Sequence, residues 1–240
     1  MDQGPPAMDI SREEYLRVIP EDQRFFDHCI QGLPDQKGFR GDGLDKYGES
    51  ITFSLGPHAI RWMRHFLDRV LKEIGFSAAH ANQPWLMLEV GFHIGYSSAL
   101  WLNLSRNVQL LSIEISDKWE TLYAAERLGR LYPGRFGFIR ADASQSLDRI
   151  LLCGPYQFAF IDGNHLRADL DIDLCRRLGI PWILFDDWWP DPFSTVQQTI
   201  KATKDLEVVE VCGNMALARW KAPGEAPALP GSPGAWKGQG

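Results

Sequence analysis

The stretch that decides the fold is Leu86-Met87-Leu88-Glu89-Val90-Gly91-Phe92-His93-Ile94-Gly95-Tyr96-Ser97-Ser98. It predicts an apolar strand that ends in an acid, followed by two glycines that open a helix. Glycine lets the backbone turn sharply where a Cβ would collide with a ligand, and the start of a helix offers unpaired N–H groups to an anionic group. The stretch therefore predicts a loop that binds a nucleoside cofactor, with an ordinary strand-to-helix turn as the alternative.

The spacing of the two glycines argues against a dinucleotide. The dinucleotide fingerprint G-x-G-x-x-G needs its second glycine so that a pyrophosphate can touch the backbone, and His93 stands at that position. The motif here is E-x-G-x-x-x-G-x-S, which runs from Glu89 to Ser97. A nicotinamide oxidoreductase would share the predicted fold, but this spacing disfavours it.

Length and composition predict a single globular domain. The chain has 240 residues, of which 45% are hydrophobic and 23% charged, and these values are ordinary for such a domain. The net charge of −6 argues against sequence-independent binding to nucleic acid. No stretch approaches the length of a membrane span, and residues 1–10 lack a basic and apolar leader, so we expect a cytoplasmic protein. The four cysteines lie far apart and are expected to be reduced, buried thiols.

The chain alternates predicted strands and helices from about residue 57 onward. The predicted strands are Trp85–Val90, Val108–Ile115, Phe136–Arg140, Tyr156–Ile161, Pro181–Phe185, Glu207–Cys212 and Met215–Trp220. The first five are apolar runs typical of parallel strands, and the last two form an antiparallel pair around the turn at Gly213 and Asn214. Because β-α-β crossovers are right-handed, the pattern predicts an α/β fold with a doubly wound, mainly parallel, Rossmann-like sheet of seven strands whose last strand is antiparallel.

Four segments are predicted along the chain. They are a flexible N-terminus at 1–10, an N-terminal helix and lid segment at 11–56, a cofactor-binding domain at 57–220 and a flexible tail at 221–240. Ser11 and Glu14 form a capping box for the N-terminal helix. Residues 41–56 are polar, rich in glycine and without periodic apolar positions, which predicts a mobile lid.

Acids follow the predicted parallel strands. In a doubly wound sheet, ligands bind beyond the carboxyl ends of the strands. The acids at or near these ends are Glu89, Glu114, Asp142, Asp162, Asp186 and Asp187. Any one of them could cap a helix or offset a helix dipole. Their presence at every parallel strand of one edge indicates a ligand site.

These motifs resemble those of the class I S-adenosylmethionine (SAM) methyltransferases. The likeness is to the metal-dependent O-methyltransferases of the catechol, caffeoyl-CoA and macrocin-type sugar kinds. Gly91–Ser97 resembles the cofactor loop, Ser112–Ile115 the ribose-binding motif and Asp142–Gln145 the adenine-edge motif. The resemblance covers roughly residues 56–220. One departure is Leu178-Gly179-Ile180-Pro181, which stands where the family has a Leu-x-Pro-Gly-Gly turn.

The resemblance implies that SAM is the cofactor. In the family the loop serine, here Ser97, holds the methionine carboxylate, and the acid after the second strand, here Glu114, takes both ribose hydroxyls. A carboxylate suits that role because it accepts two O–H donors at once. The residues implied for SAM binding are Glu89, Gly91, Gly95, Ser97, Glu114, Asp142, Ala143 and Ser144.

Asp162, Asp186 and Asp187 are the predicted metal ligands. One crossover separates Asp162 from Asp186, so these residues should lie at the ends of neighbouring strands. Three carboxylates so near to each other repel. Either at least one of them stays protonated, or a divalent cation compensates their negative charge. An all-oxygen set favours Mg²⁺, Ca²⁺ or Mn²⁺ over zinc, and Mg²⁺ is the first choice. The alternative is that Asp186 or Asp187 caps the next helix while Asp162 bonds the Gly163 turn.

His165 and Asp162 are the predicted catalytic residues. His165 lies three residues after Asp162, where the catechol and caffeoyl-CoA enzymes carry a lysine that takes the substrate proton. A histidine, whose unperturbed pKa is about 6.5, can do the same. The alternative is a residue at the start of a helix that bonds a nearby carboxylate.

Two neighbouring groups have open interpretations. Trp188 and Trp189 would form a wall for a substrate ring or pack under a lid. The run Asp169, Asp171 and Asp173 lacks the glycine and the glutamate of an EF-hand loop, which predicts a solvated helix face.

The sequence therefore predicts a SAM-dependent O-methyltransferase for a hydroxyl on a vicinal diol, catechol or sugar, assisted by a divalent cation. A metal-independent or non-catalytic SAM-binding protein is the main alternative, and a NAD-dependent oxidoreductase is the weaker one. The expected partner is a small-molecule substrate, without nucleic acid or membrane. The oligomeric state stays open, a homodimer included.

Overall fold

A computed structural model describes residues 20–34, 57–74, 83–188 and 195–221. The central element of these residues is a seven-stranded sheet. Its strands are β1 (Trp85–Val90), β2 (Val108–Glu114), β3 (Phe136–Arg140), β4 (Phe158–Ile161), β5 (Trp182–Phe185), β6 (Leu206–Cys212) and β7 (Met215–Trp220).

The strand order is β3-β2-β1-β4-β5-β7-β6. The first five strands in this order pair in parallel, and β7 pairs antiparallel with both β5 and β6. The last strand of the chain therefore runs against the other six strands of the described sheet. This confirms the predicted fold class. The order reverses between β1 and β4, and the carboxyl ends at such a switch point are where ligands bind in open α/β sheets.

Helices cover both faces of the sheet. They are α1 (Pro20–Cys29), α2 (Ile60–Glu73), α3 (Tyr96–Leu104), α4 (Trp119–Leu131), α5 (Leu147–Leu151), α6 (Ala168–Leu178) and α7 (Thr195–Ala202). Successive residues of a strand point to opposite faces. Met87 of β1 accordingly belongs to the core that contains Phe66 and Trp101, and Leu88 belongs to the core that contains Phe185. No helix among those described is long and apolar enough to cross a membrane.

Most predicted element bounds agree with the structure to within two or three residues. The bounds of β1, β3 and β7 are as predicted. β5 starts at Trp182 rather than Pro181, because proline has no N–H for the strand ladder. A 3-10 turn at Pro57–Ala59 leads into α2, which is α-helical from Ile60. The sequence patterns do not predict α5 or α7.

The departure at Leu178-Gly179-Ile180-Pro181 leaves the passage from α6 to β5 intact. Gly179 ends α6 in the left-handed conformation, with a φ of 67°. Its N–H donates to the Arg176 carbonyl, and the Ile180 N–H donates to the Cys175 carbonyl, each at 3.0 Å. A glycine cap of this kind closes a helix and lets the next strand begin at once.

Some predictions fall outside the described residues. The capping box at Ser11, the lid at 41–56, Trp189 and the tail beyond Lys221 belong to these. The division of the chain into four segments therefore stays a prediction.

Cys153 corrects the expectation of four buried thiols. It is exposed in the turn after α5, whereas Cys29, Cys175 and Cys212 are buried. Burial raises the pKa of Cys29 and Cys212 to about 12, which makes these two thiols inert at neutral pH.

Candidate functional site

A cavity of about 490 Å³ lies at the carboxyl ends of the parallel strands, where the strand order reverses. The predicted site residues in its wall are Gly91, Ser97, Glu114, Asp142, Ala143, Ser144, Asp162, Asp186 and Asp187. Glu89 and Gly95, also predicted for the site, are not part of the wall. Arg167 and Asp171 line the cavity although the sequence analysis did not assign them to it.

Gly91 brings the ends of β1 and β4 together. Its φ is 95°, and a Cβ at this position would lie 2.1 Å from the Asp162 carbonyl oxygen. Gly95 precedes α3 with a φ of 78°. Between the glycines, His93 has a φ of 50°, so the loop turns in the left-handed region at three residues. The turns direct the first residues of α3, including Ser97, into the cavity wall.

Glu89 lies beneath the loop, and its side chain has no solvent exposure. Its carboxylate accepts hydrogen bonds from the hydroxyls of Ser97 at 2.6 Å, of Ser112 at 2.5 Å, and of Ser98. Burial raises the pKa of Glu89 to about 7, against the opposing effect of the three hydroxyls. Glu89 thus contacts the cavity only through Ser97, which lies in its wall.

Glu114 joins the glycine loop to the end of β2. Its Oε2 accepts from the His93 N–H at 2.8 Å, and its Oε1 accepts from the Ser116 N–H at 2.9 Å. Each carboxylate oxygen has a second lone pair for a further donor. The carboxylate is therefore held in one orientation at the cavity wall and can still accept hydrogen bonds from a ligand.

Asp142 caps the 3-10 turn Ala143–Gln145 that follows β3. Its Oδ1 accepts from the Ser144 N–H at 3.0 Å and from the Ser144 hydroxyl at 2.6 Å, and its Oδ2 accepts from Arg167 Nη1 at 3.3 Å. The bond from the Ser144 hydroxyl, helped by the nearby Arg167, holds the pKa of Asp142 below its usual range. Asp142 is therefore ionised at neutral pH and faces the cavity from the side of β3.

Residues 88–188 match a family model described as a methyltransferase domain. The match begins within β1, includes the glycine loop and strands β2 to β5, and ends just after the acids that follow β5. This part of the chain is therefore similar to methyltransferase domains. Its fold is that of the class I, SAM-dependent methyltransferases.

Solved methyltransferase structures share this fold. The O-methyltransferase from Bacillus cereus in complex with S-adenosylhomocysteine (SAH) is similar at 16% identity and a TM-score of 0.54, over 83% of this chain and 96% of that chain. The SAH-bound methyltransferase PaMTH1 of Podospora anserina is similar at 17% identity and a TM-score of 0.53, over 86% of this chain and 99% of that chain. A third similar structure is the O-methyltransferase TomG of Streptomyces achromogenes, involved in tomaymycin synthesis, in complex with SAM. Its identity is 16% and its TM-score 0.56, over 86% of this chain and 92% of that chain. No curated protein matches the chain in sequence.

The pocket at the carboxyl ends of the parallel strands has two sides. We call the wall formed by Ser97, Glu114 and Asp142 the β2–β3 side, and the wall formed by Asp162, Asp186 and Asp187 the β4–β5 side. On the β4–β5 side the register pairs Ile161 with Phe185, so the acids that follow these residues lie at neighbouring strand ends, as predicted. Burial, together with the carboxylates of Asp186 and Asp187, holds the pKa of Asp162 well above its usual range.

The acids of the β4–β5 side interact without forming a ready metal site. Among the residues that the structure describes, no three His, Cys, Asp or Glu side chains are arranged to hold a metal ion. The predicted ligand set Asp162, Asp186 and Asp187 is thus brought together as a group of neighbouring carboxylates. Its role in metal binding stays a prediction.

The structure describes the side chain of only one of the two predicted catalytic residues. Asp162 lines the cavity directly after β4. The backbone of His165 begins the 3-10 turn His165–Arg167, while its side chain lies outside the described part of the chain. The catalytic role of His165 therefore stays a prediction.

Trp188 packs in the core instead of lining the pocket. It is 8% exposed and belongs to the core that contains Phe185 and Val196. Of the two interpretations of this residue, packing is the one that the structure supports.

Asn214, in the turn between β6 and β7, is a site residue that sequence reasoning missed. Its Nδ2 donates to Asp186 Oδ1 at 2.8 Å, and its carbonyl accepts from the Trp188 N–H at 2.6 Å. In sequence, Gly213-Asn214 indicates only a tight turn. The contact joins residues 28 positions apart, so no local pattern could have indicated it.

Asp171 contradicts the prediction of a solvated helix face. It is 8% exposed and lines the pocket at the carboxyl ends of the parallel strands. The reason is its place on α6, because Ala168 and Cys175, three residues before it and four after it, are buried on the same face. The sequence signal was present in this spacing, but the alternating acids at 169, 171 and 173 concealed it.

Proposed function

We propose that the chain is a SAM-dependent O-methyltransferase that acts on a small molecule with two vicinal oxygens, such as a diol, a catechol or a sugar. The observation that carries the proposal is the pocket itself, in which a loop and two acids suited to a nucleoside face a group of three neighbouring carboxylates. Two of the similar structures named above are O-methyltransferases, which supports the same reaction class.

The β2–β3 side is the proposed cofactor site. Glu114 would accept from the two ribose hydroxyls, since its carboxylate is already oriented by two backbone donors. Asp142, with Ala143 and Ser144, would contact the adenine edge. Ser97 would hold the methionine carboxylate, and Glu89 would fix the Ser97 hydroxyl from below.

The β4–β5 side is the proposed acceptor site. The oxygen chemistry of Asp162, Asp186 and Asp187 fits Mg²⁺. Burial and the two neighbouring carboxylates raise the pKa of Asp162, and a divalent cation would offset the repulsion among the three. A bound cation would supply acceptor orientation and a lowered hydroxyl pKa. Bound SAM would supply the methyl group that the acceptor oxygen takes. His165 would accept the proton that this hydroxyl loses, and SAH is the second product.

Cofactor binding and metal dependence can be tested separately. We expect isothermal titration calorimetry to detect SAH binding, and we expect methyl transfer to a member of a catechol and sugar panel in the presence of Mg²⁺. Excess EDTA, or Asp186→Ala, should abolish turnover while SAH binding remains. His165→Ala should slow turnover by about 10²–10⁴ if the residue is the general base. A protein that fails to bind SAH would contradict the proposal as a whole, and full turnover in EDTA would contradict only the cation.

A metal-independent or non-catalytic SAM-binding protein is the second candidate. It is favoured by the observation that the acids of the β4–β5 side, within the described residues, show no ligand arrangement for a metal ion. SAH binding without any methyl transfer, with and without Mg²⁺, would support it. A NAD-dependent enzyme is disfavoured by His93, and calorimetry with NAD provides the comparison.

The remaining assignments concern surroundings rather than chemistry. We propose a small-molecule acceptor, no nucleic-acid or membrane partner, and a cytoplasmic location, all on the sequence arguments given above. Size-exclusion chromatography with light scattering decides whether the chain is a monomer or a homodimer.

A further inference from the structure

The turn between β6 and β7 holds the acids of the β4–β5 side at two points. The side-chain amide of Asn214 donates to the Asp186 carboxylate, and its backbone carbonyl accepts from the Trp188 N–H. The turn lies outside residues 88–188, to which the family model matches. The contact therefore joins the pocket to a part of the chain that lies outside the match.

The two contacts bracket an unusual backbone conformation. In extended chain, neighbouring side chains point to opposite faces, so Asp186 and Asp187 would normally diverge. Here Asp187 has a φ of 56°, and both acids line the pocket. A residue other than glycine has a strained backbone in the left-handed region, and this conformation persists only where the surroundings impose it. Asn214 contacts the residues on either side of Asp187 and is therefore part of these surroundings.

Asn214 is well placed to impose this geometry. It is 5% exposed, and Asp186 is 4% exposed, so the hydrogen bond between them is shielded from water. Its neighbour Met215 pairs with Cys212 at the start of the hairpin, and both of these side chains are buried. A buried amide that donates to a carboxylate makes a strong, directional bond. The Asp186 carboxylate therefore has little freedom to rotate.

We propose that Asn214 is a positioning residue of the acceptor site, which holds Asp186 and Asp187 side by side so that both face the acceptor. The inference rests on the proposed function and extends it to the C-terminal hairpin. Because Asn214 acts on the β4–β5 side, its loss should weaken cation and acceptor binding and leave the cofactor bound as before.

The test compares Asn214→Ala with a matched control. Asn214→Ala removes the amide and leaves the backbone carbonyl in place. Asn103→Ala removes another part-buried amide, which bonds the Ala99 carbonyl and the Tyr132 hydroxyl near the far end of α3. For each protein we would measure the SAH affinity by calorimetry, the Mn²⁺ affinity by electron paramagnetic resonance, and kcat and KM for the best acceptor of the panel. A crystal structure of Asn214→Ala would report the conformation of residues 186–188 directly.

The inference predicts a selective loss. Asn214→Ala should lose about 10–100-fold in Mn²⁺ affinity, as is typical when the hydrogen-bond partner of a metal ligand is removed. Its acceptor KM should rise, its SAH affinity should stay within twofold, and its crystal structure should show Asp187 relaxed to negative φ or Asp186 rotated. Asn103→Ala should match wild type in all binding measurements.

The outcomes separate this inference from the proposed function. A wild-type protein that does not bind SAH contradicts the proposed function. An unchanged conformation of residues 186–188 in Asn214→Ala overturns the inference, whatever the activity of the wild type. So does an active wild type whose Asn214→Ala variant keeps its Mn²⁺ affinity and acceptor KM. Equal losses of SAH and Mn²⁺ affinity would show a general structural role and would also overturn it.

Discussion

On the β2–β3 side of the pocket, Glu114 and Asp142 accept hydrogen bonds from backbone N–H groups, and Asp142 has a lowered pKa. On the β4–β5 side, Asp162 has a raised pKa, because it is buried beside Asp186 and Asp187. The residue type and the sheet edge are the same, but the electrostatic environments are opposite. The first side is prepared for a ligand that donates hydrogen bonds, and the second for one that brings positive charge.

The largest expected effect comes from Gly91, where the two sides touch. Gly91→Ala places a Cβ 2.1 Å from the Asp162 carbonyl oxygen, at a φ of 95°. Backbone strain and overpacking together should lower the free energy of unfolding by about 2–5 kcal/mol and abolish SAH binding. Gly134→Ala is the control, since Gly134 has a φ of 71° with no atom near the added Cβ. Urea denaturation of both variants measures the difference, and equal losses would show that only the φ matters.

Glu89 lies beneath the β2–β3 side and differs from Glu114 and Asp142, because it is fully buried and its pKa is raised. Its pKa rises from 4.5 to about 7 in the folded protein. Between these values the folded state binds more protons than the unfolded state, so the stability of the wild type falls as pH rises through this window. Glu89→Gln has no such titration. Its free energy of unfolding should therefore rise by about 3 kcal/mol relative to that of the wild type as the pH increases across this window. Urea denaturation between pH 5 and 8 measures this, and parallel curves would contradict it.

Glu114 tests whether the β2–β3 side is the cofactor site. Glu114→Ala should weaken SAH binding by more than tenfold, because two hydrogen bonds to a carboxylate contribute roughly 1.5–3 kcal/mol. Glu207→Ala, which removes a surface carboxylate paired with Arg219, is the matched control and should bind SAH as wild type does. Calorimetry that shows the same affinity for both variants would remove Glu114 from the cofactor site.

The smallest effect, in opposite directions on the two sides, sharpens the comparison most. Without metal or SAM at pH 8, Asp162→Asn should raise the urea midpoint, since it removes a carboxyl that folding buries beside two acids. Asp142→Asn should lower the urea midpoint. A carboxylate whose pKa is depressed by folding stabilises the folded state at pH values above its unfolded pKa, and this contribution is lost only as the pH falls through the folded pKa. Both midpoints moving the same way would mean that the two sides do not differ. Added Mg²⁺ should reduce the advantage of Asp162→Asn.

Part of the site could be predicted because it depends on strand ends. Glu114, Asp142, Asp162, Asp186 and Asp187 lie where apolar runs stop, and the parallel topology brings those stops to one edge. Glu89 was assigned to the same edge, but it stands one residue before the end of β1. It pairs in register with Ser112 of β2, so the pleat directs it beneath the loop rather than into the cavity.

The residues that sequence reasoning missed depend on how distant elements dock. Arg167 reaches Asp142 from the start of α6, and Asn214 reaches Asp186 from the last hairpin. Asp171 joins the pocket because of the rotation of α6 on the sheet. Each of these contacts is set by packing between elements that local patterns describe only one at a time.

The sequence by itself determined the kind of sheet, the place of the glycine loop and the edge at which the acids collect. These follow from hydrophobic periodicity and from glycine, whose effects act within a few residues. Only the tertiary structure decided which acids are satisfied by hydrogen bonds and which are left to repel one another. That difference depends on burial and on the distances between groups far apart in the chain, because electrostatic interactions follow spatial rather than sequence separation.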